Sequence, residues 1–332
     1  MANQSLTTSP DNLVTTGGSL TRRVSTFPKS LPMMANLWQG YMTFLILTSF
    51  TGVVGNTFVI FAVVTHKKLR VIQNVFIVNL AVADLLVSAI VVPFGVAGIV
   101  DNGELFVEHL PGLCEFIATL TVTGCTCSIS SIASVSLNRY VAICHRLTYP
   151  KIYSKRTVPF MVAGLWVYSF LVDLPNYLGW NEHIFDWRTY TCIYDYTYNL
   201  YYTRYFLAFF GFGLPLCILC FSYFSVYCKV FKSTRRMRRH ADDTLSKQRF
   251  SGIDSADKRL LKTLAVICIT FLSMWAPYVV TVQLDQGHRF WIFVPAISLT
   301  FLNSSVNFMI YATNETFREA YVRIIKSIIC YN

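Results

Sequence analysis

Seven long apolar stretches, separated by short polar connections, constrain this chain of 332 residues more than any other feature. A hydrocarbon core about 30 Å thick requires roughly 20 apolar residues when the segment is a helix that satisfies its own backbone hydrogen bonds. All seven stretches are long enough. The predicted spans are residues 39–65, 75–100, 112–143, 158–180, 202–231, 259–284 and 290–312. The sequence therefore predicts an all-α membrane protein, built as a seven-transmembrane helix bundle.

The charge pattern predicts an orientation in the membrane. The chain has 28 Lys and Arg residues against 17 Asp and Glu, an excess that is also typical of nucleic-acid-binding proteins. Here, however, the basic residues cluster after the first, third, fifth and seventh spans, which the positive-inside rule assigns to the cytoplasm. We therefore predict a multi-pass plasma-membrane protein whose N-terminus lies outside and whose C-terminus is cytoplasmic. Membrane lipids are expected partners, and nucleic acid is not.

The segments outside the seven spans are short, except for the outer connection at about residues 181–201 and the inner one at about residues 232–257. Residues 1–37 are the predicted extracellular tail, in which Asn3 begins an Asn-Gln-Ser sequence that is either a glycosylation acceptor or a chance match. Residues 38–312 are the predicted transmembrane domain. In residues 313–332, apolar residues at helical spacing alternate with basic ones, which predicts a short amphipathic helix on the inner membrane surface. Cys330 follows it and is either palmitoylated or an unmodified thiol.

Polar side chains within the spans mark a candidate ion site. Asp84 lies in the middle of the second span, and Ser128, Asn303 and Asn307 fall at a comparable depth in other spans. Ionisable groups at this depth are costly and usually functional. Oxygen ligands of this kind suit sodium, with Asp84 supplying the charge, while a protonated Asp84 in a structural hydrogen-bond network is the alternative. Apart from this allosteric sodium ion, we predict no cofactor.

The inner end of the third span carries the sequence Asn138-Arg139-Tyr140. An arginine at this depth either reaches the cytoplasmic surface or pairs with an acid on a neighbouring helix. Asp257, near the inner start of the sixth span, is the candidate partner, and a solvated Asp257 is the alternative.

Prolines inside spans remove backbone hydrogen bonds and predict kinks. Pro175, Pro215 and Pro277 lie in the fourth, fifth and sixth spans. Because Pro277 closely follows the bulky Trp275, we predict a hinge in the sixth span.

The outer side contains a candidate disulfide bond. Cys114 opens the third span and Cys192 lies in the long outer loop, so both face an oxidising compartment, which predicts a bond between them. We interpret His183, in the same loop, as a solvated surface residue. Asp173, near the outer end of the fourth span, reaches water in the simplest interpretation.

Together these motifs resemble those of the rhodopsin-like (class A) G-protein-coupled receptors, over about residues 38–330. The matching positions, in order along the spans, are Asn56, Asp84, Asn138-Arg139-Tyr140, Trp166, Pro215 with Tyr223, Met274-Trp275-Ala276-Pro277 and Asn307-Phe308-Met309-Ile310-Tyr311. Three positions depart from the family pattern: Asn138 replaces an aspartate, Met274 a cysteine and Phe308 a proline. The resemblance implies coupling to a heterotrimeric G protein. The switch residues that it implies are Asn138, Arg139, Tyr140, Tyr223, Asp257, Trp275, Pro277, Asn307 and Tyr311.

Within that family the chain is similar to the melatonin receptors. The shared segments include Lys67-Lys68-Leu69-Arg70, Ile143-Cys144-His145, Leu174-Pro175-Asn176 and the seventh span without its proline. The resemblance implies a small extracellular ligand, a neutral indoleamine, and an inhibitory G protein as partner.

The ligand-binding positions match less well than the framework. Asn176 aligns with the asparagine that binds melatonin, but Tyr194 replaces a phenylalanine, Tyr196 a glutamine and Gly211 a histidine. The predicted ligand-binding residues are Thr121, Asn176, Tyr194, Tyr196, Gly211 and Trp275. A class A receptor for another ligand, such as a lipid or a peptide, therefore remains the alternative.

Other functional classes fit less well. Receptors for biogenic amines resemble one another in having an aspartate at the position of Thr121. Opsins need a lysine at the position of Phe301. A transporter would show the repeat symmetry that we do not find. No nucleophile–base pair, metal cluster or phosphate loop stands out, so we do not predict an enzyme.

Overall fold

The computed structural model of the protein describes residues 32–196, 198–239, 265–266, 268–284 and 290–329. Within them, six helices are long and apolar enough to cross a membrane, and a shorter apolar helix falls in the predicted sixth span. The main helices are α1 (Pro32–Thr65), α2 (Ile72–Val100), α3 (Pro111–Cys144), α4 (Thr157–Asn176), α5 (Tyr202–Lys232, continuing to Arg239), α6 (Cys268–Leu284), α7 (Phe290–Ala312) and α8 (Glu315–Ile329). One-turn elements connect them, including Lys67–Leu69, Leu105–His109 and Tyr149–Ile152.

Helix α3 lies at the centre of the bundle. It packs against α2, α4 and α5, and 72% of its most apolar stretch is buried, compared with 17% for α5. Its middle is rich in serine and other small residues, which allow helices in a membrane to approach closely and to form hydrogen bonds between them. The outer helices instead expose large apolar side chains, as expected for surfaces that face lipid.

The predicted amphipathic helix is present as α8. The Asn314 side chain accepts a hydrogen bond from the Thr316 backbone N–H (3.0 Å), which caps the start of the helix. Phe317, Ala320 and Ile324 are buried on one side, and α8 packs there against α1 and α7. Its basic side chains lie on the exposed side.

The long loop before α5 contains a β-hairpin that the all-α prediction missed. Strands β1 (His183–Asp186) and β2 (Thr191–Tyr194) pair antiparallel, with Phe185 opposite Cys192. Cys192 is bonded to Cys114 at the start of α3, which confirms the predicted disulfide. We call this end of the bundle the hairpin end, and the opposite end the α8 end.

Two glycines allow the hairpin to lie close to α2. A Cβ atom at Gly98 would be 2.5 Å from the backbone oxygen of Tyr190, in the hairpin turn. Gly103 has φ +79°, and a Cβ there would be 2.5 Å from the ring of Phe185. That ring stacks on Phe106 with the centroids 5.4 Å apart. The hairpin is therefore packed onto the bundle as well as bonded to it.

The fourth helix ends earlier than predicted. The last turn, Leu174–Asn176, is a 3₁₀ turn, and the chain then turns so that the Trp180 N–H donates to the Pro175 carbonyl (3.0 Å). Pro175 therefore marks the end of α4 and does not kink a longer helix.

We expect Cys114→Ser and Cys192→Ser to impair surface delivery of the protein. The bond closes a loop with a sequence separation of 78, and a loop of this size corresponds to roughly 4 kcal/mol in the chain-entropy model. Cell-surface labelling would measure the loss, with Cys217→Ser as control because Cys217 is an exposed free cysteine. Normal delivery of both variants would contradict a structural role for the bond.

Candidate ligand cavity and switch residues

A cavity lies at the hairpin end among α3, α5, α6 and α7, beneath β2. Its volume is about 90 Å³, measured as the space open to the centre of a water molecule, which exceeds the roughly 10–15 Å³ that one water requires. The lining residues are Thr121, Val122, Cys125, Thr126, Ile193, Tyr194, Thr203, Leu207, Ala208, Gly211, Phe212, Trp275, Tyr278, Val279, Val282, Gln283, Ile297, Thr300 and Phe301. None of these is an aspartate, glutamate, lysine, arginine or histidine, so the cavity suits a neutral ligand.

Three tyrosines lie where the hairpin meets α6. The hydroxyls of Tyr194 and Tyr278 are 2.6 Å apart, and the Tyr278 hydroxyl is 3.5 Å from that of Tyr196. All three side chains are buried. Burial raises the pKa of Tyr194 and Tyr196 well above the usual tyrosine value. Both phenols are therefore protonated at neutral pH.

Arg188 joins the hairpin to α7 beside these tyrosines. Its guanidinium lies 5.2 Å from the ring centroid of Tyr196 and 4.9 Å from that of Phe293. The Arg188 Nε–H donates to the Asp186 carboxylate (2.8 Å). Burial alone would lower the pKa of Arg188, but the nearby Asp186 carboxylate outweighs it and raises that pKa. A charged group therefore lies near the cavity without lining it.

Trp275 lies on the side of the cavity nearer the centre of the bundle. Its ring stacks on Phe271, with the centroids 5.7 Å apart, and is tilted against Phe212 at 5.9 Å. The indole N–H is buried and has no hydrogen-bond partner among the described residues. Pro277 follows, and its carbonyl accepts a hydrogen bond from Thr281 (2.7 Å). The predicted hinge residue is thus in contact with the cavity.

The structure brings four of the six predicted ligand residues to this cavity: Thr121, Tyr194, Gly211 and Trp275. The other two, Tyr196 and Asn176, are not part of the lining. Tyr196 packs against Tyr194 and Phe293. Asn176 contacts Asp173, Asn181 and Tyr202, in a separate cluster between α4 and the hairpin.

Two interpretations of polar residues in this cluster were wrong. Asp173 is fully buried and does not reach water, and the His183 side chain is only 2% exposed. His183 Nε2 lies 3.1 Å from Asp173 Oδ1. Both residues are buried because β1 folds against the end of α4, a contact between segments that the sequence pattern does not reveal.

Asp84 is at the centre of a hydrogen-bond network in the middle of the bundle. Its two carboxylate oxygens accept hydrogen bonds from Ser128 of α3 (2.8 Å) and Asn307 of α7 (2.6 Å). The Ser304 side chain of α7 lies near this carboxylate as well. Asn303 is buried but makes no hydrogen bond to Asp84. Three of the four predicted ion-site residues therefore meet, and Ser304 joins them.

A second polar network connects α2, α3 and α4. The Asn79 amide donates to Ser131 (2.8 Å) and its oxygen accepts from the Trp166 indole (2.9 Å). On α1, the Asn56 amide donates to the Ser304 carbonyl (2.8 Å). Asn56 and Trp166, both matched to the family by motif, thus hold neighbouring helices together.

At the α8 end, the Arg139 side chain donates a hydrogen bond to Gln73, at the start of α2. Asn138 donates to the hydroxyl of Tyr149 (3.3 Å), and the Tyr140 hydroxyl lies 3.0 Å from His145 Nε2. Arg139 therefore has a neutral partner here. Gln73 and Tyr149 carry no motif signal and were missed from the sequence.

The remaining predicted switch residues that the structure describes lie between this end and the cavity. Tyr311 is buried and stacks on Phe317 of α8, with the centroids 5.3 Å apart, and Tyr223 of α5 packs against the core at the α8 end. Asp257, Cys330 and Asn3 lie outside the described residues.

The described residues form a bundle of seven helices with a disulfide-bonded hairpin over a cavity at one end. A family model for the seven-transmembrane receptors of the rhodopsin family matches residues 55–311. Squid rhodopsin has the same fold, with a TM-score of 0.76 over 89% of this chain and 87% of that one, at 22% sequence identity. The chain belongs to the rhodopsin family of seven-transmembrane receptors.

Within this family the chain is similar to melatonin receptors. It is 32% identical to melatonin receptor type 1A of Ovis aries, over 86% of this chain and 76% of that receptor. It is 31% identical to melatonin receptor type 1B-B of Danio rerio, over 86% of this chain and 81% of that one. The protein is therefore a class A G-protein-coupled receptor and not an enzyme, as predicted. Coupling to G proteins in response to extracellular ligands is general to this family.

We expect Gln73→Ala to raise agonist-independent signalling. A hydrogen bond to a charged group contributes roughly 1.5–3 kcal/mol, so losing it would shift the balance away from the arrangement described here by about tenfold or more. Conversely, Asn138→Asp would place an acid beside Arg139 and should lower basal signalling. G-protein activation without agonist would measure both, with the exposed Lys68→Ala as control. An unchanged basal level in Gln73→Ala, at equal surface density, would contradict this role of Gln73.

Proposed function

We propose that the protein is a plasma-membrane receptor whose hairpin end faces outward and whose α8 end faces the cytoplasm. The positive-inside pattern supports this orientation, because Lys67, Arg70 and the basic residues of α8 all lie at the α8 end. An oxidising exterior also suits the Cys114–Cys192 bond.

A neutral small molecule binds in the cavity. The observation that carries this proposal is that no lining residue in the described part of the chain is acidic or basic, since an ammonium or carboxylate ligand would lack a counter-ion there. Melatonin is a neutral indole derivative and the ligand named by the relatives, so it is the first compound to test. Because Tyr196 and Asn176 lie outside the lining, a different neutral ligand is the second candidate.

The receptor signals by activating a G protein of the inhibitory class. Binding energy from the ligand shifts the receptor between two arrangements only if the ligand binds one of them better. Trp275 contacts both the cavity and the helix segment ahead of Pro277, so it is positioned to sense the ligand. Arg139, which Gln73 holds in this arrangement, would be released on the cytoplasmic side.

Sodium is proposed as an allosteric ion at Asp84. The oxygens gathered there, from the carboxylate and from the hydroxyls of Ser128 and Ser304, are the hard ligands that such a cation prefers. Held by these residues, the ion would neutralise the buried carboxylate. Asp84, Ser128 and Asn307 would then connect α2, α3 and α7 in one arrangement of the bundle.

The first experiment is inhibition of cyclic AMP by melatonin in cells that express the receptor. We expect inhibition in the native protein and loss of it in Arg139→Ala at equal surface density, because that change removes the coupling side chain. Pertussis toxin, which blocks the inhibitory class, should abolish the response. If the native receptor is present at the cell surface and melatonin does not inhibit cyclic AMP formation, melatonin is ruled out as an agonist.

The sodium proposal predicts that agonist binding weakens when sodium chloride replaces choline chloride. This effect should vanish in Asp84→Asn, because the amide cannot supply the charge that holds the ion. Radioligand competition in isolated membranes would measure it. Asp101→Asn is the matched control, since Asp101 is a carboxylate at the hairpin end that accepts hydrogen bonds from Gly103 and Leu105. Equal sodium sensitivity in native receptor and Asp84→Asn would refute the ion site.

A further inference from the structure

A groove lies on the outer surface of the bundle at the α8 end, where α1 ends and α2 begins. Its volume is about 570 Å³, within the roughly 300–1,000 Å³ that is usual for ligand sites in proteins. Val63, inside the groove, is buried, whereas Val64, Val71 and Val75 are each more than a third exposed. The groove therefore opens onto the apolar surface of the bundle, which faces lipid.

The walls of the groove are rigid and apolar. Besides Arg70, the lining consists of five valines and Ile72. Branching at Cβ restricts the rotation of these side chains, and in a helix leaves one strongly preferred rotamer. The groove therefore keeps its shape when it is empty, and little side-chain entropy is lost when an apolar chain fills it. These properties suit the acyl chain of a lipid.

Arg70 is the charged residue of the lining. Its Nε–H donates to the Val64 carbonyl (2.5 Å), one of the carbonyls that the end of α1 leaves without a helical partner. The guanidinium has four further N–H groups. Within the described residues neither Arg70 nor Lys67 pairs with an acid, whereas Lys68 contacts Glu319 (3.5 Å). The remaining N–H groups of Arg70 are available to an anion.

The position of this charge favours the headgroup of an anionic phospholipid. Arg70 closely follows the end of a membrane-spanning helix, at the level where anionic headgroups attract basic side chains. A guanidinium is planar and can bind two phosphate oxygens at once. One phospholipid molecule carries both the phosphate that Arg70 can bind and the apolar chain that the valines can enclose.

Building on the proposed function, in which the α8 end faces the cytoplasm, we propose that this groove binds one anionic phospholipid of the inner leaflet. Its phosphate contacts the guanidinium of Arg70, and Lys67 adds positive charge nearby. One acyl chain lies along the valines between α1 and α2.

The bound lipid also acts on Gln73. Ile72, in the groove lining, belongs to the same single turn as Gln73, and the Asn74 amide connects this turn to the Leu69 carbonyl (2.8 Å). Gln73 accepts the hydrogen bond from Arg139. A lipid that packs against Ile72 therefore holds the turn in place and favours the arrangement in which Gln73 binds Arg139.

The test counts lipids bound to the purified full-length receptor by native mass spectrometry. Detergent solutions are titrated with phosphatidylserine or with phosphatidylcholine of the same acyl chains. We expect tighter binding of phosphatidylserine, and about fivefold weaker binding of it in Arg70→Gln. Arg323→Gln is the matched control, because Arg323 is an exposed basic residue of α8. Equal binding of both lipids by the native receptor, or equal losses in the two variants, would overturn the proposal.

Further variants separate the groove from general attraction between charges. Val71→Trp fills the groove and should weaken the binding of both lipids, whereas Val54→Trp changes an exposed valine of α1 outside the groove and should not. Arg70→Lys keeps the charge and should retain most of the preference for phosphatidylserine. Unchanged phosphatidylserine binding in Val71→Trp would overturn the proposal. A receptor dimer that Val71→Trp dissociates would also overturn it, since the occupant would then be a second copy of the chain.

The effect on signalling is measured separately, in nanodiscs with and without phosphatidylserine. The native receptor should activate G protein without agonist less strongly when phosphatidylserine is present, and Arg70→Gln should remove this difference. Lipid binding without such a difference would overturn the action on Gln73. If the receptor activates no G protein in either membrane, the proposed function is wrong, and the lipid count still decides whether the groove binds the phospholipid.

Discussion

The hydrogen bonds that Asp84 accepts from Ser128 and Asn307 are the interaction on which the rest of the bundle depends. In the middle of a membrane no water is present to satisfy a carboxylate, so its partners must come from neighbouring helices. That requirement fixes the rotation of α2, α3 and α7 about their axes. The network of Asn79, Ser131 and Trp166 acts in the same way on α4. Polar residues thus determine how the helices are oriented relative to one another. Apolar packing alone does not, because lipid tails are as apolar as apolar side chains.

The two ends of the bundle are held together by different kinds of interaction. At the hairpin end, a disulfide, a β-hairpin and a cluster of aromatic rings hold the segments firmly around a small cavity. At the α8 end, Arg139 is held by the neutral side chain of Gln73, and a single neutral partner is easier to exchange than a buried ion pair. Asp84 and Trp275 lie between the two ends. The helices that reach from the cavity to the α8 end are thus connected to one another at their centre.

The sequence was most informative where a feature depends on one segment alone. Span positions follow from local apolar composition, and α8 follows from its helical periodicity. The meeting of Asp84, Ser128 and Asn307 followed from their similar depth, although Asn303, at the same depth, makes no hydrogen bond to Asp84. The hairpin, the burial of His183 and the contact between Arg139 and Gln73 were missed. The Arg139–Gln73 contact joins two helices whose residues are 66 positions apart. The hairpin and the burial of His183 involve nearer segments, but they too depend on tertiary packing that no local pattern specifies.

One departure from the family pattern, Phe308, is explained by its neighbour in the structure. Phe308 replaces the usual proline, and its ring lies where a Cβ atom on residue 55 would be, only 2.1 Å away, so Gly55 is what makes room for it. Neighbouring residues also explain the position of Asn176. Asn176 matches the melatonin receptors by position, yet Asp173 and Tyr202 occupy its polar atoms. A residue can therefore keep its place in a motif while its neighbours take up its hydrogen bonds.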